Sequence, residues 1–374
     1  MWRVAKPRLP LLRTLAALVF ACAQSASAQE LAIGVAGPMS GPLAAAGRSL
    51  AAGVSVAAQD VNARSAAKYT IVIEDDGANP AGGRKAAQAL AGKGVKFVIG
   101  HYTSAPTAAA NEIYAKNNVL LLAPSASLPK LTAGPARNVF RLAAREDAQA
   151  QFAGFWLARE FGKQKIAIVE DGSASSRMLA GAAADVLRAA GAALLPGAEI
   201  VAGAADGPAQ AARAAQLLTA GEAAAIYWSG GGANFIAVLA ALREAGSAAL
   251  VLGGEALASP DIAGSGANVL DGLRAVIPAP PPRGDASLAL MARLKQAGAS
   301  DLPLALAAYA SMETLAQARA MDRQNPAAAL RQGRVFETAA GPVSFGENGE
   351  RRETLHTIAI WRRAIDGRFS LAPP

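Results

Sequence analysis

Short apolar runs that do not alternate with polar residues, each followed by a longer stretch with helical spacing, limit this chain's fold more than any other feature. "LAIGVA" (31–36) precedes a segment in which Leu43, Gly47, Leu50, Val54, Ala58 and Val61 fall three or four residues apart, the spacing of one helical face. "YTIVIED" (69–75), "VKFVIG" (95–100) and "VLLLAP" (119–124) continue the series, with helical stretches between them. Apolar runs of this length suit strands covered on both faces, and strands separated by helices imply right-handed crossovers and a parallel sheet.

The rhythm then restarts. "KIAIVED" (165–171), "ALLPGAEIV" (193–201), "AAAIYWS" (223–229) and "ALVLGG" (249–254) are again separated by helical stretches. Two such series predict an α/β chain of two doubly wound parallel-sheet lobes joined by hinge strands. "NVFRLAAREDAQAQ" (138–151) reads as a strand crossing into a new helix, and the prolines of "VIPAPPPRGD" (276–285) mark a second crossing. The expected division is 29–143 with 278–338 for lobe 1, and 144–277 with 339–374 for lobe 2. The tail at 341–363 reads as a hairpin turning at 347–349, where "NG" is a turn signal.

Residues 1–28 have a basic start (Arg3, Lys6, Arg8, Arg13), a short apolar core and an Ala26-Ser27-Ala28 ending. This is the layout of a secretory signal peptide cleaved after Ala28; the apolar core is well short of the roughly 20 residues that span a bilayer. Periplasmic export is the expectation. A lipid anchor on Cys22 is the alternative, since "VFAC" puts that cysteine after a small residue, although Phe20 fits such a motif poorly. Removing 28 of 374 residues leaves 346 and takes four cations with it, so the formal charge of +8 falls to +4, too little to argue for nucleic acid. Cys22 is the only cysteine, so the mature chain has no disulfide and no thiol ligand or nucleophile.

Ligands of open parallel sheets sit beyond the carboxyl ends of the strands. Ser104 follows the third strand, and Ser125 and Ser127 follow the fourth, so all three share one rim. Each hydroxyl can donate once, and the helix beginning near Ala105 turns its N-terminal amides to the same place. Together they suit a carboxylate. Alternatively, Ser104 is a helix cap and the other two are loop hydroxyls. Glu255 follows "ALVLGG" and would suit an ammonium group across the cleft; alternatively it is a solvated loop acid. "WSGGGANF" (228–235) is a Gly-rich turn lacking the Lys and Ser/Thr of a phosphate loop.

Other chemistry is poorly supported. "VAGPMSG" (35–41) does not spell the dinucleotide fingerprint, despite Glu74, Asp75 and Asp76 after the second strand. His101 and His356 have no metal-ligand spacing, and Ser40 in "GPMSG" is no nucleophile elbow. No cofactor, metal or catalytic residue is expected.

The segments "IGVAGPMSGPLAAAGRSLAAGVSVAAQDVN" (33–62), "GVKFVIGHYTSAPTAAANEIYAKNNVLLLAPSASLPKLT" (94–132), "AIVED" (167–171), "LGGEAL" (252–257) and "GPVSFGENGE" (341–350) resemble the leucine/isoleucine/valine-binding proteins. These are periplasmic receptors of ATP-driven amino-acid importers with the type I two-lobed periplasmic binding fold. The resemblance implies that Ser104, Ser125 and Ser127 hold a ligand's α-carboxylate and help with its ammonium, that Glu255 pairs with the ammonium, and that Tyr309 lines the pocket. It also implies aromatic residues near Ala46, Ser175 and Gly231, and a disulfide joining positions like Ala78 and Thr103; this chain has none of these. Tyr102 and Trp228 are therefore candidates to refill a remodelled side-chain pocket, and Thr103 is a further ligand-binding candidate.

The expected function is a non-catalytic, monomeric solute receptor that binds an amino acid or a relative of one between its lobes and docks on an inner-membrane ABC permease. An exported ligand sensor on the same fold is one alternative. A dinucleotide-dependent enzyme is another, disfavoured by the missing glycine fingerprint.

Overall fold

The computed structural model of the protein describes residues 30–65, 67–195, 200–201, 207–231, 235–258, 262, 269–279, 284–353, 356–365 and 369–372. The expected export segment with Cys22, part of the Gly-rich turn (232–234) and the prolines at 280–282 lie outside the described residues. Strands β1 (Glu30–Gly37), β2 (Lys68–Asp75), β3 (Phe97–Gly100), β4 (Leu120–Ala123) and β5 (Val139–Arg141) form a parallel sheet in the order β2-β1-β3-β4-β5. Every residue of β3 and β4 is buried, which is why their sequences do not alternate. Helices α1 (Ala44–Arg64), α2 (Pro80–Gly92) and α3 (Ser104–Lys116) make the crossovers, and a short α4 (Lys130–Ala133) precedes β5.

The chain then enters a second sheet. Strands β6 (Lys165–Glu170), β7 (Ala193–Leu194), β8 (Ile200–Val201), β9 (Ala225–Trp228), β10 (Leu250–Gly253) and β11 (Arg274–Pro278) alternate with α5 (Ala148–Phe161), α6 (Ala174–Ala189), α7 (Gly207–Ala220) and α8 (Phe235–Glu244). The strand expected at 193–201 is thus two short pieces, both paired with β6. Helices α9 (Asp285–Gln296), α10 (Leu302–Met321) and α11 (Pro326–Arg331) return to the first core, where Leu294, Leu315 and Leu330 pack with Ile33, Leu50 and Ile99. In both sheets the order places the second strand outside the first and the third on its other side. The topological switch points therefore lie between β1 and β3, and between β6 and β9.

The tail forms the expected hairpin beside its turn and departs from it further out. The turn is present, with the Gly349 N–H donating to the Gly346 carbonyl at 3.0 Å. Its arms pair antiparallel next to the turn, with the Gly346 N–H donating to the Glu350 carbonyl at 2.8 Å and the Arg352 N–H to the Ser344 carbonyl at 3.0 Å, and part beyond it: β13 (Gly341–Val343) pairs with β12 (Phe336–Thr338), while β14 (His356–Arg363) adds antiparallel to β11 and is followed by β15 (Phe369–Ala372). Val343 and Phe345 are fully buried in the first core. Val343 and Phe345 thus pack in the first core and His356 opens a strand of the second sheet, where the sequence expectation divides the lobes after 338. Burial of these side chains, which a turn signal does not report, decides where the segment belongs.

Two charged clusters hold the first lobe's late segments in place. Arg141 is fully buried. It donates Nε and Nη2 to Glu350 at 3.1 and 2.5 Å, Nη1 to the Leu128 carbonyl at 2.7 Å and Nη2 to Thr132 at 2.8 Å. On the outer helices, Asp60 receives Arg293 through two bonds of 2.9 and 2.7 Å and the Tyr309 hydroxyl at 2.7 Å. The Arg293 hydrogen bond holds the Asp60 carboxyl below its ordinary 3.8; burial opposes this and the Tyr309 hydroxyl adds to it.

Arg141→Met should cost about 3 kcal/mol of stability by leaving Glu350 without its cation, measured by urea unfolding; a loss below about 1 kcal/mol would show that the cluster does not hold the fold. Asp60→Asn should cost about 1–2 kcal/mol at neutral pH. Because the folded carboxyl titrates below its unfolded value, this contribution is present in full above pH 3.8 and is lost as the pH falls further. Unfolding curves of variant and wild type should converge in acid, and a constant gap would contradict the assignment.

Candidate functional site

The carboxyl ends of β3 and β4 carry the first rim. Gly100 closes β3 at φ +150°, where a Cβ would lie 2.2 Å from the Ala36 carbonyl oxygen, so only glycine lets β1 and the rim loop approach this closely. Beneath the loop, His101 is fully buried, with Nδ1 2.6 Å from Asp76 and Nε2 3.2 Å from the Tyr114 hydroxyl. Burial, with the charges of Asp76 and Glu74, pushes Tyr114 far above its usual range, so it stays a neutral phenol. This chain of side chains holds the floor on which residues 102–104 sit.

Ser104 is the first residue of α3, and its oxygen accepts the N–H groups of Ser127 at 3.2 Å and Leu128 at 3.1 Å. A hydroxyl has two acceptor positions and one proton. With both acceptor positions taken, the Ser104 proton is left to donate outward. Thr103 occupies the cap position of α3 in extended backbone, but its side chain caps nothing, so the N-terminal amides of α3 keep their capacity to donate to an anion. The Ser127 hydroxyl is half-buried and makes no hydrogen bond among the described residues. Ser125 differs, because its hydroxyl donates to the Tyr102 carbonyl at 2.8 Å. Its proton ties the β3 and β4 loops together and does not face outward. Tyr102 packs half-buried against the first core.

The second rim follows β6, β9 and β10. Asp171 accepts the N–H of Gly231 at 2.8 Å and of Ser173 at 2.9 Å; burial pushes its carboxyl up, but these donors together bring it below the usual range. Glu255 opens a single 3-10 turn, Glu255–Ala258. Its N–H donates to Gln149 at 2.7 Å, its Oε1 lies 3.1 Å from His356 Nε2, and its side chain is 41 % exposed. One carboxylate oxygen is thus held, and the other makes no hydrogen bond among the described residues. Gly254 permits this, since a Cβ there would lie 2.7 Å from the Gln149 oxygen. The neighbouring Tyr227 is fully buried, with a hydroxyl that has no partner among the described residues; burial and the Glu255 charge push it above its ordinary range.

Both rims are tied to one crossing. The Ser127 carbonyl accepts the Glu146 N–H at 3.0 Å, and Gln149, three residues on, holds Glu255, a chain span of at most ~11 Å. The structure therefore brings Tyr102, Thr103, Ser104, Ser125 and Ser127 together and sets Glu255 on the other side of the same hinge. Two expected residues are elsewhere. Trp228 is 1 % exposed in the second core, with Nε1 donating to the Gly231 carbonyl at 3.0 Å and its ring edge-on to Phe235. Tyr309 is turned to Asp60 near the far end of α1, at the opposite edge of the first sheet from Ser104. Neither side chain is free to refill a pocket between the rims. Gln149 and His356 escape sequence reasoning; the only signal was their place, in the first turn after one crossing and the first residue after another.

The Leu/Ile/Val-binding protein homolog 1 of Brucella melitensis is 29% identical over 363 residues, covering 95% of this chain and 96% of that protein. A putative branched-chain amino acid ABC transporter protein from Rhodospirillum rubrum superposes with TM-score 0.76 at 21% identity, covering 91% of this chain and 99% of that one. An ABC transporter substrate-binding protein from Desulfitobacterium hafniense, solved with Leu, does so with TM-score 0.66 at 23% identity, covering 92% and 100%. These two structures share the fold. The family model for periplasmic binding proteins matches residues 30–363, nearly all of the described chain, and the protein belongs to that family.

Proposed function

We propose that this protein is an extracytoplasmic solute receptor of an ABC importer, and that it binds one small zwitterion, an amino acid or a close relative, between its lobes without chemical turnover. The observation that carries the reading is the Ser104 hydroxyl. Two backbone amides occupy its acceptor positions, so it faces the rim as a donor, beside an uncapped helix N-terminus and the hydroxyls of Thr103 and Ser127, which make no hydrogen bond among the described residues. That set recognises a carboxylate. Glu255, with one oxygen on His356 and the other exposed, supplies the negative partner for an ammonium group. The Leu/Ile/Val-binding names of the relatives and the Leu complex of the Desulfitobacterium protein agree with this polarity.

The side-chain end of the ligand differs from that of the named relatives. Where the resemblance implies aromatic walls, this chain has Ala46, Ser175 and Gly231, and Trp228 and Tyr309 are committed to other partners. Small residues at these three positions make a roomier side-chain pocket part of the proposal. Exported as its first 28 residues imply, the receptor acts as a monomer in the periplasm and delivers its ligand to an inner-membrane permease.

Calorimetry with a panel of amino acids should find at least one ligand. Ser104→Ala and Glu255→Gln should each weaken it by about tenfold or more, the equivalent of roughly 1.5–3 kcal/mol for a hydrogen bond to a charged group. The reading fails if no zwitterion binds, or if the double variant binds as tightly as the wild type.

A further inference from the structure

The first lobe has a second concave site that the interlobe reading leaves unused. A cavity of about 830 Å³ opens at the amino-terminal edge of its sheet, where β1, β3 and β4 begin, at the opposite end of the strands from Ser104. Apolar wall is supplied by Leu31, Phe97 and Val119. Arg319, near the end of α10, lines the same cavity and is only 7 % exposed.

No carboxylate, carbonyl or hydroxyl among the described residues accepts a hydrogen bond from the Arg319 guanidinium. Among the described residues its one partner is the Phe97 ring, whose centroid is 5.0 Å from the guanidinium carbon. A ring face steadies a cation but takes none of its hydrogen bonds, and a buried charge without a counter-charge is costly. Lys96, Arg137 and Arg323 add three more cations to the lining, against the single acid Glu30. A lining with four cations and one acid, among them a planar, bidentate donor with no hydrogen-bond acceptor among the described residues, has the chemistry of a carboxylate or phosphate site.

We propose that this cavity binds an organic anion with an apolar body, its carboxylate or phosphate on the Arg319 fork and its body along Leu31 and Val119. The volume is that of a small-molecule site, and the apolar wall beside the guanidinium favours an amphiphile over a bare inorganic ion. The inference is independent of what the interlobe site binds.

Titration calorimetry of the intact mature protein with octanoate, benzoate and inorganic phosphate tests it. At least one of the two carboxylates should bind saturably and tighter than phosphate. Ser104→Ala should leave that binding within about twofold, and Arg319→Met should weaken it by about tenfold or more. Arg323→Glu, at an exposed position, should weaken it about threefold or more, and it decides the matter if Arg319→Met does not fold by circular dichroism. The proposal is overturned if neither carboxylate saturates, if phosphate binds as tightly as both, if folded Arg319→Met binds as the wild type does, or if Ser104→Ala abolishes the binding.

Discussion

A guanidinium with no exposed surface organises the first lobe's rim. Arg141 ends β5 and reaches back to the Leu128 carbonyl, sideways to Thr132 and forward to Glu350, more than two hundred residues later. A cation this deeply buried persists only with its charge compensated and its donors satisfied, so the tail must come back to the first lobe before it can finish the second sheet. The consequence reaches the site. Leu128, whose carbonyl Arg141 holds, is one of the two residues whose N–H groups occupy the Ser104 oxygen. The outward donor at Ser104 is set by a chain of bonds that begins at a buried ion pair and includes no ligand.

The two halves of the site are built on different principles. In the first lobe the polar groups are fixed by packing: a glycine closes β3, a buried Asp76–His101–Tyr114 chain supports the loop, and Ser125 ties two loops together. In the second lobe Glu255 hangs from Gln149, at the start of the helix that follows the crossing. In the proposed receptor, a change of angle between the lobes would carry the acid relative to this fixed set of donors. A ligand shifts such an equilibrium only by binding the closed form better than the open one, and a molecule with separated charges does so when each lobe holds one end.

Legibility followed from how local each signal is. Unbroken apolar runs report burial on both faces, so the parallel sheets, the rim and the hydroxyls upon it could be read from spacing alone. The direction of a side chain depends on partners far along the chain. Tyr309 lies on a helix with apolar residues on most of its faces, and its hydroxyl finds Asp60 some 249 positions away. Trp228 ends a strand buried at every position, so nothing local said that its indole would turn into the core. The return of residues 339–353 to the first lobe was hidden for the same reason, because Val343 and Phe345 look like the start of any hairpin until Arg141 and the first core claim them.

The proposed recognition of a carboxylate by hydroxyls and helix amides, where an arginine would bind more strongly, has a physical rationale in a protein that must release what it binds. Neutral donors stabilise an anion through several modest bonds, each lost as the lobes separate and water returns. An arginine in the same place would need its own counter-charge in the empty, open form, as Arg141 needs Glu350. The rim at Ser104 has no such requirement, because its donors are complete in themselves and its acceptors are already filled by the protein's own amides. Glu255 meets the same requirement in the opposite sense: His356 beside it gives the carboxylate a partner when no ammonium is present, so the empty acid is never left bare.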